Sequence, residues 1–263
     1  MRAALQSVMV VAVVASCVVW EHGGVDATAA SVPLNSDVAS VQPQGAAVGV
    51  AHPIVVTFRH PVGDRGLAER SLAIKTTPSR TGTFEWLADD VVQWTPDQFW
   101  PAHSTIMLSV AGMKSEFPTG PAVVGIADIS DHTFTVTVDG SSVGLPSPHH
   151  LPHAGEDGVL LASMGRPEYA TPVGTYPVLD KERSVLMDSS SVGIPVTAPD
   201  GYLLDVDYAV RITRRGLFVH SAPWAVPSIG FDNVSHGCIS LMPAMAEWYY
   251  NTVSVGDPVI VQE

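Results

Sequence analysis

The stretch Phe218-Val219-His220-Ser221-Ala222-Pro223-Trp224-Ala225-Val226-Pro227-Ser228-Ile229-Gly230-Phe231-Asp232-Asn233-Val234-Ser235-His236-Gly237-Cys238-Ile239-Ser240-Leu241 governs how the chain is read. His220 closes the apolar run Leu217-Phe218-Val219, and Cys238 follows inside Ser235-His236-Gly237-Cys238. A thiol that is to act as a nucleophile needs a neighbour to take its proton, and imidazole does so near neutral pH. The two need to meet in space, which a loop between two strands achieves. Gly237 lets the backbone approach a ligand closely, so its amide and that of Cys238 are candidate donors to a developing oxyanion. The pattern is that of a cysteine nucleophile. Each residue has a plainer alternative: Cys238 a small buried hydrophobe, His236 a core histidine, Gly237 a turn glycine. His220, His236 and Cys238 are also three zinc-type ligands, although the chain has no Cys-x-x-Cys or His-Glu-x-x-His to support a metal site.

Composition narrows the setting. The 263 residues are long enough for one large domain or two small ones. Only 15% are charged, yet the net charge is -13, which argues against nucleic acid or an anionic membrane surface as partner. With 22 Gly and 21 Pro between short apolar runs, a mainly β protein is expected. Near the start, Arg2 precedes an apolar run from Val8 to Val19, which reads as the core of a signal peptide. Three fates are open: a lipoprotein-like box at Val14-Ala15-Ser16-Cys17 with Cys17 acylated, cleavage after Ala27-Thr28-Ala29, or an uncleaved anchor. All three place the body outside the cytoplasmic membrane. Either processing route leaves Cys238 without a second cysteine, and a solitary thiol in an exported protein is a candidate reactive group.

Residues 1–29 are therefore read as signal peptide or anchor and residues 30–45 as a flexible linker. From Ala46 to Thr119 the apolar residues alternate. Ile54, Val56 and Phe58 share a face, Leu72 and Ile74 share another, and Phe84-Glu85-Trp86 pairs with Val92-Gln93-Trp94 about an Asp89-Asp90 turn. A small sandwich is expected there, with Trp86, Trp94 and Trp100 in its core or, alternatively, forming a sugar-binding face. Pro118-Thr119-Gly120-Pro121 is the domain boundary, and residues 120–263 form the second domain. In it, Val123 to Ile129, His132 to Val138, Gly158 to Ala162, Gly174 to Leu179, Val185 to Asp188 and Tyr208 to Ile212 read as strands. His149, His150 and His153 fall in a solvated, proline-flanked loop. Ser189 to Asp207 is a long loop of the kind that serves as a lid. Pro243 to Val253 is the one convincing helix, with Pro243 in its first turn.

His220-Ser221, the fourteen residues from Ser221 to Val234 and Ser235-His236-Gly237-Cys238 resemble the signature of L,D-transpeptidases of the YkuD type. Thr171-Pro172-Val173-Gly174-Thr175-Tyr176, His220 to Trp224 and Trp248-Tyr249-Tyr250 resemble the subgroup with an immunoglobulin-like domain before the catalytic one. The resemblance covers Ala46 to the C-terminus. It implies an immunoglobulin-like β-sandwich followed by a YkuD-type β-rich catalytic domain with one short helix after the cysteine. It also implies peptidoglycan as substrate, with Cys238 attacking the donor stem peptide to form a thioester and an acceptor stem amine completing a 3→3 cross-link. His220 would move the proton and Ser221 steady the imidazole through its backbone carbonyl. Tyr202, His236, Gly237 and Ser240 would line the substrate and oxyanion pocket. Carbapenems would acylate the same thiol, and no metal or organic cofactor is needed. Ser240 departs from the family, which carries Asn or Arg there, at a cost of about one hydrogen bond, ~1 kcal/mol. Three rivals follow: an L,D-carboxypeptidase using water, a papain-like peptidase (whose cysteine precedes its histidine, the reverse of the order here), and a decayed wall-binding module.

Overall fold

Two β-built domains follow one another in the structure, a computed structural model that describes residues 37–263. Cys17 and the signal and anchor readings of residues 1–29 lie outside the described residues. The first domain comprises β1 (Val38–Gln42), β2 (Ile54–Phe58), α1 (Arg65–Leu72), β3 (Lys75–Thr77), β4 (Gly82–Trp86), β5 (Val91–Pro96), β6 (Thr105–Val110) and β7 (Met113–Pro118). Its sheets, in the orders β1-β2-β5-β4 and β3-β6-β7, share one core. Period-two alternation sends Ile54, Val56 and Phe58 inward to meet Ile106, Leu108, Val110 and Phe117. Trp94 and Trp100 lie in that core with ring centroids 6.3 Å apart, and Trp86 stacks on Phe58 at 5.8 Å. The tryptophans are packing residues and form no sugar platform.

Two expectations fail in this domain. The segment 30–45 is not all tether, because Val38 to Gln42 pairs with β2 and buries Val38 and Val41. Its small and polar neighbours hid a short strand whose stability comes from the partner strand. Leu72 does not belong to a strand but ends α1. Asp64 caps that helix by accepting the Leu67 N–H at 2.9 Å, and Ala73 stops it in a left-handed conformation. Leu72 and Ala68 are its buried pair, two turn-spaced apolar residues too few to announce a helix.

The second domain runs β8 (Val123–Asp128), β9 (Thr133–Val138), β10 (Ser141–Ser142), β11 (Val159–Ser163), β12 (Gly174–Pro177), β13 (Asp180–Asp188), β14 (Leu203–Arg211), β15 (Phe218–Ser221), β16 (Ile239–Leu241), α2 (Pro243–Thr252) and β17 (Pro258–Gln262). Its sheet has the order β12-β17-β8-β9-β11-β16-β15-β14-β13, with β10 on β9. Strand β11 is the bend: Val159 to Leu161 pair with β9, while Ala162 and Ser163 pair with β16. Both halves contribute to one core, which Met245, Ala246 and Tyr249 of α2 enter, Tyr249 edge-on to Phe134 at 4.8 Å. Strands β13 and β14 run further than the sequence pattern indicated, so the loop between them is residues 189–202. The cross-strand pairs Leu186↔Asp205 and Met187↔Leu204 leave an alternation too polar to read as strand.

The domains meet along a short seam. Gly49 N–H donates to Val255 O at 2.9 Å and Ala51 N–H to Gly256 O at 2.8 Å. The buried Asp257 carboxylate accepts Ser254 N–H at Oδ2, at 2.8 Å, while its buried Oδ1 has no hydrogen-bond partner within the chain. Arg214, in the turn after β14, reaches Gln93 on β5 at 3.4 Å.

Candidate active site

Strands β15 and β16 are parallel neighbours, with His220 opposite Ser240. Parallel neighbours require a long crossover, and residues 222–238 supply it. Residues two apart on a strand share a face, so Cys238, two before Ser240, is carried to the side of the sheet that His220 occupies. All three line one cavity of about 320 Å³, with Tyr202, His236, Met187 and Trp224 around it.

The loop before Cys238 is held from beneath. The Ser235 hydroxyl donates to Cys238 O at 2.6 Å and accepts Gly237 N–H at 3.0 Å. Buried Thr171 donates to Gly237 O at 2.8 Å and accepts Gly165 N–H at 2.9 Å. Thr171 opens the Thr-Pro-Val-Gly-Thr-Tyr turn, so that motif works as a buttress of the cysteine loop. Gly237 has φ +112, a left-handed conformation that side chains resist, and a Cβ on Gly165 would run into Tyr169 O. The expectation for Gly237 is corrected in one respect. Its N–H is spent on Ser235 Oγ, which leaves the Cys238 amide as the candidate oxyanion donor of the two.

His220 is buried, and its Nδ1–H donates to Ser221 O at 2.8 Å. That bond fixes the tautomer and leaves Nε2 as the ring's acceptor. Burial lowers the imidazole from its ordinary 6.5 to about 4, outweighing the bond to Ser221, and pushes the Cys238 thiol from 9.0 up to about 11. Both shifts favour the uncharged forms, so the resting pair is neutral. Accordingly Sγ makes its weak bond to Gly216 O, at 3.8 Å. The catalytic bond of such a pair commonly tightens only when substrate arrives.

The structure brings Tyr202 and His236 to the same cavity, their rings 5.0 Å apart, with Tyr169 on His236 at 4.8 Å. Burial raises the Tyr202 phenol, and the nearby Cys238 raises it further. Ser240 is buried beside His220 at the cavity wall. Among the described residues no group of three His, Cys, Asp or Glu side chains is placed to hold a metal ion, His220, His236 and Cys238 included. Sequence reasoning missed Arg166, Tyr169, Thr171's buttressing role, Asp200 and the catalytic-side role of Trp224, which stacks on His220 at 6.0 Å. Only Thr171 and Trp224 lay in quoted motifs. The others sit outside the strands, Arg166 and Tyr169 at the two ends of a single 3-10 turn of helix, with no periodicity to mark them.

A thiol and an imidazole presented by adjacent parallel strands, with the loop glycine locked behind the thiol, define a cysteine-dependent acyltransferase on a β-rich frame. The chain belongs to the L,D-transpeptidases: residues 123–261 match the L,D-transpeptidase catalytic domain and residues 28–114 a bacterial Ig domain. It is 61% identical over 271 residues to "Probable L,D-transpeptidase 3" of Mycobacterium tuberculosis, covering 100% of both chains. Among solved structures it is similar to L,D-transpeptidase 3 of that organism in complex with a faropenem-derived adduct, at 67% identity and TM-score 0.84 over 88% of this chain and 100% of that one. It is also similar to the L,D-transpeptidase LdtMt1 in complex with imipenem, at 47% identity and TM-score 0.78 over 88% and 100% of the two chains.

Proposed function

We propose that this enzyme joins peptidoglycan stem peptides outside the cytoplasmic membrane through a thioester on Cys238. The donor is a tetrapeptide stem whose diamino acid precedes a terminal D-Ala. As it fills the cavity, His220 Nε2 takes the thiol proton and Sγ attacks the diamino acid carbonyl. The C–N bond to D-Ala breaks, and the leaving nitrogen takes that proton from the imidazolium. An imidazole held near 4 is a poor resting base but a strong acid once charged, so the burial that disfavours proton uptake favours proton delivery. The side-chain amine of a second stem then attacks the thioester and loses its proton to His220, and the thiol is regenerated with a 3→3 cross-link formed. The Cys238 amide and the Tyr202 hydroxyl are the groups assigned to the oxyanion; one such donor is typically worth about 3–4 kcal/mol.

The observation that carries this reading is the shared face of His220 and Cys238, with Nδ1 tied to the Ser221 carbonyl. Expected on incubation with imipenem is one covalent adduct by intact-protein mass spectrometry, absent from Cys238→Ala. A Cys238→Ala protein that still cross-links stems ends the mechanism. With tetrapeptide substrate, a tripeptide product in place of a dimer makes the enzyme an L,D-carboxypeptidase. Wall binding by a folded wild type without any adduct points to a decayed site.

A further inference from the structure

The loop between β13 and β14 is closed on itself. Ser189 N–H donates to Tyr202 O at 3.0 Å, and Tyr202 N–H to the Ser189 hydroxyl at 3.0 Å, so residues 190–201 form a loop pinched at its base. Inside it, Ala198 N–H bonds Pro195 O and Gly201 N–H bonds Ala198 O, both at 2.8 Å. A loop whose ends are bonded to each other is compact, packed by its own residues.

Close to that pinch, two residues before Tyr202, the loop holds Arg166. Asp200 Oδ1 accepts from Arg166 Nη2 at 2.7 Å. The same Nη2 lies 3.2 Å from His236 Nε2. Arg166 is anchored at the other end: its N–H donates to Ser235 O at 3.0 Å, and its guanidinium lies over the Tyr169 ring at 4.7 Å. One side chain thus joins the lid beside Tyr202, the histidine beside the thiol and the backbone of the cysteine loop.

We propose that Arg166 is a positioning residue for acyl transfer, latching the lid through Asp200 so that Tyr202 and His236 are held on the donor side of the Cys238 cavity. This rests on the acyl-transfer reading above. The Arg166 side chain is 24% exposed and that of Asp200 54%, so the pair is partly wet and the latch can open for substrate exchange.

The test is a double-mutant cycle of Arg166→Gln, Asp200→Asn and the double variant, with two readouts. The first is the rate of acylation by imipenem. The second is alkylation of Cys238 by iodoacetamide, which needs no recognition of an acyl donor. Each single variant is expected to acylate about fivefold more slowly and to alkylate faster, at an unchanged melting temperature. The double variant should match Arg166→Gln, since without the arginine Asp200→Asn has no further bond to break. Raising salt should slow acylation of the wild type and leave Asp200→Asn unaffected. Losses that multiply in the double variant, or Asp200→Asn acylating and alkylating as wild type, overturn the latch. A wild type that alkylates but never acylates refutes the acyl-transfer reading, while the alkylation cycle still decides the latch. If Arg166→Gln does not fold, Asp200→Asn and the salt series decide it alone.

Discussion

Substituting His220 by Gln should change the acid dependence of stability in one direction, and substituting Asp257 by Asn should change it in the other. Burial holds the His220 imidazole at about 4 in the folded chain against 6.5 when unfolded. The unfolded state therefore takes the proton first, and the stability His220 contributes above pH 6.5 is lost as pH falls toward 4. At about 1.4 kcal/mol per pH unit the full loss is about 3 kcal/mol, roughly 2 of it gone by pH ~4.5. Asp257 runs the opposite way. Burial at the seam raises it from 3.8 to about 6, ahead of the nearby backbone amides of Ser254, Val50 and Val123 that pull it down. Its contribution is complete below 3.8 and lost as pH rises through 6, again about 3 kcal/mol, of which roughly 2 returns between pH ~7 and ~4.5. Urea unfolding of wild type and both variants across that range measures the effect, and only the difference curves matter, because a constant offset from lost packing cancels. His220→Gln should gain on wild type by roughly 2 kcal/mol toward acid, and Asp257→Asn should lose by a similar amount. A His220→Gln curve parallel to wild type would refute the buried neutral imidazole, and with it the neutral resting pair.

Thr171→Val leaves Gly165 N–H and Gly237 O without their buried partner, and should cost about 2–4 kcal/mol in urea unfolding while slowing imipenem acylation. Ser240→Asn restores the amide the family carries and should keep or raise the acylation rate; a large loss would mean the cavity is shaped around serine. Asp64→Ala removes the α1 cap and should cost about 1 kcal/mol of stability with acylation unchanged.

Much was legible without coordinates. Alternation over Ile54 to Phe58 and the Asp89-Asp90 hairpin give the sandwich its strands because a two-residue period means something only on a sheet with one buried face. The block Ser235 to Cys238, with His220 upstream, allows a cysteine nucleophile on residue chemistry alone, and its resemblance to the L,D-transpeptidase signature decided between that and the plainer alternatives. What the sequence withheld depended on partners distant along the chain. Val38 to Gln42 becomes a strand only against β2, and α1 persists because Leu72 and Ala68 find a core. Whether Gly237 offers its amide was decided by Ser235, and Arg166 meets Asp200 only because the lid folds back over the cysteine loop. The neutrality of the His220–Cys238 pair likewise follows from how deeply the fold buries both. Residue identity alone determined which groups can do the chemistry; the protonation, orientation and cover of those groups are set by desolvation and by contacts that exist only once the two halves of the sheet have closed.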